Sequence, residues 1–227
     1  MAVTKEELDF LEEALPFWNS LTQNQKDILQ NSAVSLSYSK GDNLHRGPHD
    51  CMGLILVKSG ELRAYIISET GKGITLYRLF ERDICILSAS CMLKNINFDI
   101  YVEANRDSNI ILIPTPVFDE LNQNSLEVSK YTGELISSRF SDVMWVMEQV
   151  LFSSFDKRLA SFLLEQSIAD NSDTIHITHE EIAKNLGSAR EVVTRMLKYF
   201  QNEGMVSLFR GGITITDKEK LKKLTYN

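Results

Sequence analysis

Cysteine is scarce in this chain of 227 residues, with Cys51, Cys85 and Cys91 the only three. An odd count cannot pair completely, and neither the number nor the spacing makes a disulfide framework or a four-ligand metal site. Histidine is nearly as sparse, at His45, His49, His176 and His179. Long apolar runs are missing as well. Stretches such as Leu54 to Val57 and Ile110 to Ile113 are far too short to cross a bilayer. The start, MAVTKEELDF, has no basic region followed by an apolar one. These absences predict a cytoplasmic protein with no membrane partner. Positive charge is also short overall: the formal net charge is -7, which taken whole speaks against phosphate-rich partners.

What is present changes that last inference. The hydrophobic fraction of 43% suits a chain with a real core. The charge is uneven, because residues 176 to 227 hold 9 Lys or Arg against 6 Asp or Glu, about +3, which leaves about -10 for the rest. Within this basic end, Ile175 to Gln201 reads as two short helices joined by a glycine turn. Thr178 is placed to cap the first helix with Glu181 as its capping-box partner, and Ile182 and Leu186 face inward. Gly187 ends it, and Ser188 is placed to cap the second. There Val193, Met196, Leu197 and Phe200 make one apolar stripe, while Arg190, Glu191, Thr194, Arg195 and Lys198 occupy the other face. A helix with that division suits the DNA major groove; an ordinary helical hairpin with a solvated charged face is the alternative. Met205 to Leu208 and Ile213 to Thr216, around Phe209-Arg210-Gly211-Gly212, read as a hairpin that follows directly. Helix-turn-helix plus hairpin makes a winged helix.

Upstream, two helical patterns, Lys5 to Leu15 and Thr22 to Asn31, are broken by Pro16. From Ala33 to Pro116 short strands alternate with turns, which indicates a β-sandwich or barrel. Pro114 and Pro116 close that region and a helical pattern begins at Val117. From about Ser125 to Phe152 a long helix follows, in which Ile136, Phe140, Val143, Met144, Met147, Val150 and Leu151 recur near coiled-coil spacing. That surface predicts packing on a second copy. A shorter helix from Phe155 to Ile168 and the polar loop Ala169 to Thr174 lead into the winged helix.

This order of parts resembles the family of the cyclic AMP receptor protein and the fumarate and nitrate reduction regulator. The resemblance rests on ITHEEIAKNLGSAREVVTRMLKYFQNEGMVS, on FDKRLASFLL before it, and on Lys40-Gly41-Asp42 followed by Leu56-Val57-Lys58-Ser59-Gly60. It implies an α+β protein: an effector-sensing jelly roll over residues 1–120, a dimerisation helix over 121–152 and a winged helix over 153–227. It implies a homodimeric transcription regulator on double-stranded DNA, with RNA polymerase as a further contact. Arg190, Glu191 and Arg195 fall where the family places its base readers. Arginine offers two donors to guanine, and glutamate accepts from the cytosine amine. Thr178, Ser188, Thr194, Lys198 and Arg210 are placed for the DNA backbone. A twofold dimer would put its reading helices in successive major grooves about 34 Å apart, on a palindrome. The Arg, Glu, Arg pattern resembles the cyclic AMP receptor branch and implies a TGTGA-like half-site.

The effector region departs from the family. Ile86 and Leu87 stand where the ribose-binding Gly-Glu pair would be, and Phe98 and Asp99 where the phosphate-binding arginine would be. An aspartate repels phosphate and a phenyl ring cannot replace a guanidinium, so cyclic AMP is not the expected effector. Cys85, Leu87, Cys91, Phe98 and Ile100 form either an apolar effector pocket or simple barrel filling. Cys85 and Cys91 leave a thiol-based redox signal open. Haem is left open too, with His45, His49 or a cysteine as axial ligand, although both histidines read as solvated loop residues flanking a Gly-Pro turn. The family's oxygen-sensing iron-sulfur cluster needs four thiolates and is not expected. Two other function classes compete with this one: a cupin-type metalloenzyme, which these histidines cannot equip, and an adaptor using its winged helix for protein contacts.

Overall fold

The structure, a computed structural model, describes residues 3–46, 52–69, 71–88 and 99–226. The chain divides into two compact units, one of Met1–Ile67 with Leu76–Val143, the other of Ser68–Thr75 with Met144–Asn227.

In the first unit, helices α1 (Lys5–Ala14) and α2 (Gln23–Ser32) flank a 3-10 turn at Trp18–Ser20. Both helices open with capping boxes, Thr4 with Glu7 and Thr22 with Gln25. Among the described residues eight strands follow: β1 (Val34–Tyr38), β2 (Asn43–Arg46), β3 (Gly53–Ser59), β4 (Leu62–Ile67), β5 (Gly73–Leu79, its first three residues grouped with the second unit), β6 (Ile84–Cys85), β7 (Tyr101–Ala104) and β8 (Ser108–Pro114). They form two four-stranded sheets, ordered β1-β8-β3-β6 and β2-β7-β4-β5. The jelly-roll expectation is met in this arrangement. Leu54, Ile55, Leu56 and Val57 are all fully buried, because one face of β3 meets the barrel interior and the other is covered by α3 (Thr115–Asn124). That explains why β3 reads as a continuous apolar run rather than an alternating one.

Charge is also buried here. Glu61, 1% exposed, forms ion pairs with Arg106 at 3.1 Å and Arg78 at 3.6 Å, while Arg63 pairs with the cross-strand Glu103 at 2.7 Å. Burial raises the Glu7 carboxyl, but hydrogen bonds from Ser35 and Thr4 and the nearby Lys58 ammonium outweigh it and hold the group at about 2. Glu7 thereby ties α1 to β1 and β3.

Two expectations are corrected. His45 is not a solvated loop residue: it lies in β2 opposite Val102 and is 1% exposed. A register shift between Asn43 and His45 turns Leu44 and His45 inward together, which simple alternation does not foresee. Pro116 does not close the strands but lies in the first turn of α3, which already begins at Thr115; there its missing N–H carries no penalty.

The long helix, α4, spans Leu126–Phe152. Val128, Thr132 and Leu135 are buried, and Tyr131, Ile136 and Val143 pack against the same core. Farther along, Phe140, Met144, Met147, Val150 and Leu151 are exposed, with Trp145 and Phe152 beside them. Of the residues expected on a dimer seam, Ile136 and Val143 thus serve the chain's own core, and the other five face outward. No helix among the described residues is long and apolar enough to cross a membrane.

The second unit holds α5 (Phe155–Ala169), β9 (Thr174–Ile175), α6 (His179–Leu186), α7 (Arg190–Asn202), β10 (Val206–Phe209), β11 (Gly212–Ile215) and α8 (Lys218–Tyr226). Leu159, Leu163, Ile182, Val193, Leu197, Phe200, Ile213 and Leu221, each fully buried, make its separate core. Its sheet runs β10-β11-β9.

Candidate nucleic-acid interface

Helix α6 starts where its sequence says it should. Glu181 donates its N–H to Thr178 Oγ1 at 3.1 Å, and the Glu181 carboxylate accepts the Thr178 N–H at 2.8 Å, which closes the expected capping box. The helix stops at Gly187, whose φ of 63° is left-handed and suits glycine. Arg158, from α5, donates Nη1–H to the Leu186 carbonyl at 3.0 Å and fastens the end of α6. Burial pulls the Arg158 guanidinium below its ordinary range.

The expected capping role of Ser188 is corrected. The N-cap of α7 is Ala189, and no side chain caps it. The Ser188 N–H instead bonds the Ala183 carbonyl at 3.0 Å, so Ser188 belongs to the termination of α6.

Helix α7 buries Val193, Leu197 and Phe200 and half-buries Met196. Its other face is open and concave, lined by Arg190, Glu191, Thr194, Arg195, Lys198 and Asn202. Arg190, Glu191, Arg195 and Lys198 are exposed, and among the described residues none of them enters an ion pair. Other surface charges do pair, as Lys130 with Glu127 and Lys222 with Glu219. A set of unpaired guanidinium, ammonium and carboxylate groups on a rigid helix is ready for an external donor-acceptor pattern.

Thr194 is less free. Its hydroxyl donates to the Arg190 carbonyl at 2.9 Å and its oxygen lies 2.9 Å from His179 Nδ1. The sequence by itself assigns no role to His179 or Arg158. Neither hydrogen bond has a local signature, since the partners are 15 and 28 residues away.

The expected hairpin is present as β10 and β11, paired Val206 to Ile215 and Phe209 to Gly212, with Arg210-Gly211 as a two-residue turn. Gly211 has φ of 88°, and a Cβ on Gly212 would overlap the Phe209 ring. Arg210 is exposed at the tip, and Phe209 meets His176 edge-on at 5.8 Å.

On the effector side, Cys85, Leu87 and Ile100 are buried, with Cys85 Sγ 3.8 Å from the Tyr77 hydroxyl. Burial, then Cys85, pushes the Tyr77 hydroxyl well above its ordinary range. Ser88 shares its one hydroxyl proton between the Gly53 and Cys85 carbonyls, at 2.6 and 2.9 Å, so it stitches backbone. Arg139 of α4 stacks 4.6 Å from the Tyr77 ring. Cys91, Phe98 and His49 lie outside the described residues, and with them the proposed meeting of Cys85 and Cys91. Among the described residues no group of three His, Cys, Asp or Glu side chains is arranged to hold a metal ion.

Residues 157–224 match the family of the Crp-like helix-turn-helix domain. Over the whole chain, a transcriptional regulator assigned to the Crp/Fnr family from Eubacterium rectale ATCC 33656, known from its crystal structure, is 48% identical. It superposes with a TM-score of 0.92 over 95% of this chain and 100% of that one. Regulatory protein HlyX of Actinobacillus pleuropneumoniae is 27% identical, over 91% of this chain and 88% of that protein. The fumarate and nitrate reduction regulatory protein of Yersinia pestis is 23% identical, over 94% and 86%.

Proposed function

Since the chain belongs to the CRP/FNR family of transcription regulators, we propose that it reads a palindromic operator as a homodimer, with Arg190, Glu191 and Arg195 as the base readers. DNA binding through the helix-turn-helix is its activity. The observation that carries the reading is the unpaired, exposed Arg190, Glu191 and Arg195 on a helix whose other face is locked into a core. Arginine pairs bidentately with guanine and glutamate takes the cytosine amine, so a TGTGA-like half-site fits the set. Lys198 at one end of the face and Arg210 on the wing supply charge to the flanking phosphates, and Thr178, Ser188 and Thr194 are the remaining backbone candidates. The patch is small, so affinity draws on two copies of the helix at a spacing of about 34 Å. The exposed apolar face of α4 supports the dimer.

The effector is a molecule or redox signal other than cyclic AMP. Ile86 and Leu87, both buried, occupy the positions that the resemblance assigns to the ribose contact. Saturable micromolar binding of cyclic AMP by calorimetry would overturn this. Relatives are named for anaerobic regulation, and an oxygen-linked signal is the second reading. Three cysteines cannot supply the four thiolates of an iron-sulfur cluster from one chain, so such a signal would run through haem or a thiol instead. Contact with RNA polymerase follows from the same resemblance.

The test is operator selection from random DNA followed by gel shift. Arg190→Ala and Glu191→Ala are each expected to lose about 1 to 3 kcal/mol of discrimination at one base position. Unchanged base preference in both variants would refute the assignment.

A further inference from the structure

Helix α6 meets the reading helix through a polar contact at its first residue, and the chemistry of that contact goes beyond holding two helices together. Thr194 Oγ1 lies 2.9 Å from both the Arg190 carbonyl, which can only accept, and His179 Nδ1. Both contacts are hydrogen bonds when the hydroxyl proton goes to the carbonyl and Nδ1 donates, and that tautomer is the one assigned. Nδ1 carries hydrogen, and a neutral ring presents a bare Nε2 lone pair. Thr194 lines the same open face as Arg190 and Lys198, and its bond to Nδ1 brings the half-buried imidazole beside that face.

We propose that His179 is a proton-linked positioning residue of this interface, neutral in the free protein and protonated at Nε2 when phosphate approaches. The inference rests on the DNA-reading role of α7 proposed above. In the free protein two effects favour the neutral ring: burial first, then the Arg190 guanidinium from α7. On α7, Glu191 and Lys198 lie one turn either side of Thr194; on α6, Glu180 and Glu181 follow His179, and the Glu181 carboxylate is already bonded to Thr178. A phosphate oxygen reverses the balance. A bare Nε2 lone pair repels it, whereas an added solvent proton makes Nε2–H a charged donor, and the helix N-terminus beside it favours the anion. The Nδ1 bond to Thr194 survives in both states, because that nitrogen donates either way. Proton uptake therefore accompanies binding without disturbing the helix pair.

The sign follows from linkage. A group whose pKa is higher in the complex than in the free protein strengthens the complex as pH falls. Operator affinity of the full chain should rise between pH 8 and pH 6, by up to roughly tenfold per pH unit for each proton taken up. His179→Asn keeps a donor for Thr194 but does not titrate; it should fold normally by circular dichroism, bind near the wild-type level at pH 8 and lose the slope. His179→Arg, always charged, should bind at pH 8 as tightly as wild type does at pH 6, also without slope. His176→Gln, at the wing, should retain the wild-type slope. A wild-type slope in His179→Asn, its loss in His176→Gln, or a flat wild-type profile would each overturn the proposal. Failure to prefer operator over scrambled DNA at any pH would refute the DNA-reading assignment itself; preference with pH-independent affinity refutes only the role of His179.

Discussion

Replacing Phe140 by alanine should dissociate the proposed dimer while leaving each protomer folded. Phe140 is 65% exposed on α4, in line with Met144, Met147, Val150 and Leu151. A phenylalanine buries roughly 200 Å² when fully covered, so roughly 130 Å² remains available to a partner at that exposure. Truncation to alanine removes most of it, roughly 100 Å², which at about 25 cal/mol per Å² is roughly 2.5 kcal/mol per protomer. A twofold interface counts each substitution twice, giving roughly 5 kcal/mol, or a dimer dissociation constant weakened by roughly 10³ to 10⁴. Sedimentation equilibrium over a wide concentration range reads that shift. Leu135→Ala is the contrast, because Leu135 is 9% exposed and belongs to the chain's own core. It should lower protomer stability by about 2 to 5 kcal/mol, with dimerisation affected only through folding. The reasoning fails if Phe140→Ala sediments as wild type does, or if it unfolds as readily as Leu135→Ala.

Glu7→Gln should remove an acid-sensitive part of the stability. The carboxyl is held at about 2 in the folded state against an ordinary 4.5, so its contribution is complete above pH 4.5 and is lost as pH falls towards 2. The wild type should lose at most about 3 kcal/mol through this group over that window, and urea unfolding at several pH values should show a shallower decline in the variant. An equally steep decline in Glu7→Gln would remove the assignment. Thr178→Ala strips the N-cap of α6 and should lower stability by about 1 kcal/mol, read by thermal melting of the winged helix. No change on melting would mean that the capping box carries no weight.

Much of the second unit was legible because its signals are local. Thr178 and Glu181 are three residues apart, Gly187 punctuates, and the stripe from Val193 to Phe200 repeats within one helix. The length of α4 was legible for the same reason. What escaped depends on partners far away in the chain or on one-residue irregularities. The burial of His45 follows from a register shift that leaves no mark on composition. Ser188 is the better cap by residue type, yet the N-cap falls on Ala189, because the Ser188 amide is used at the end of α6. The Arg63 to Glu103 and Arg106 to Glu61 pairs join residues about 40 positions apart, so no local pattern announces them. The split of the α4 seam, with Ile136 and Val143 turned to the chain's own core and Phe140 outward, is set by where the barrel lies. A repeat alone does not carry that information.

Hydroxyl-radical footprinting of the full chain on a selected operator tests the central claim most directly. Two protected patches related by twofold symmetry, their centres about one helical turn or 34 Å apart, and both lost in Arg190→Ala, are the expected result. A single unsymmetrical patch, or protection that ignores sequence and survives Arg190→Ala, would contradict the reading of α7 as one half of a twofold DNA reader.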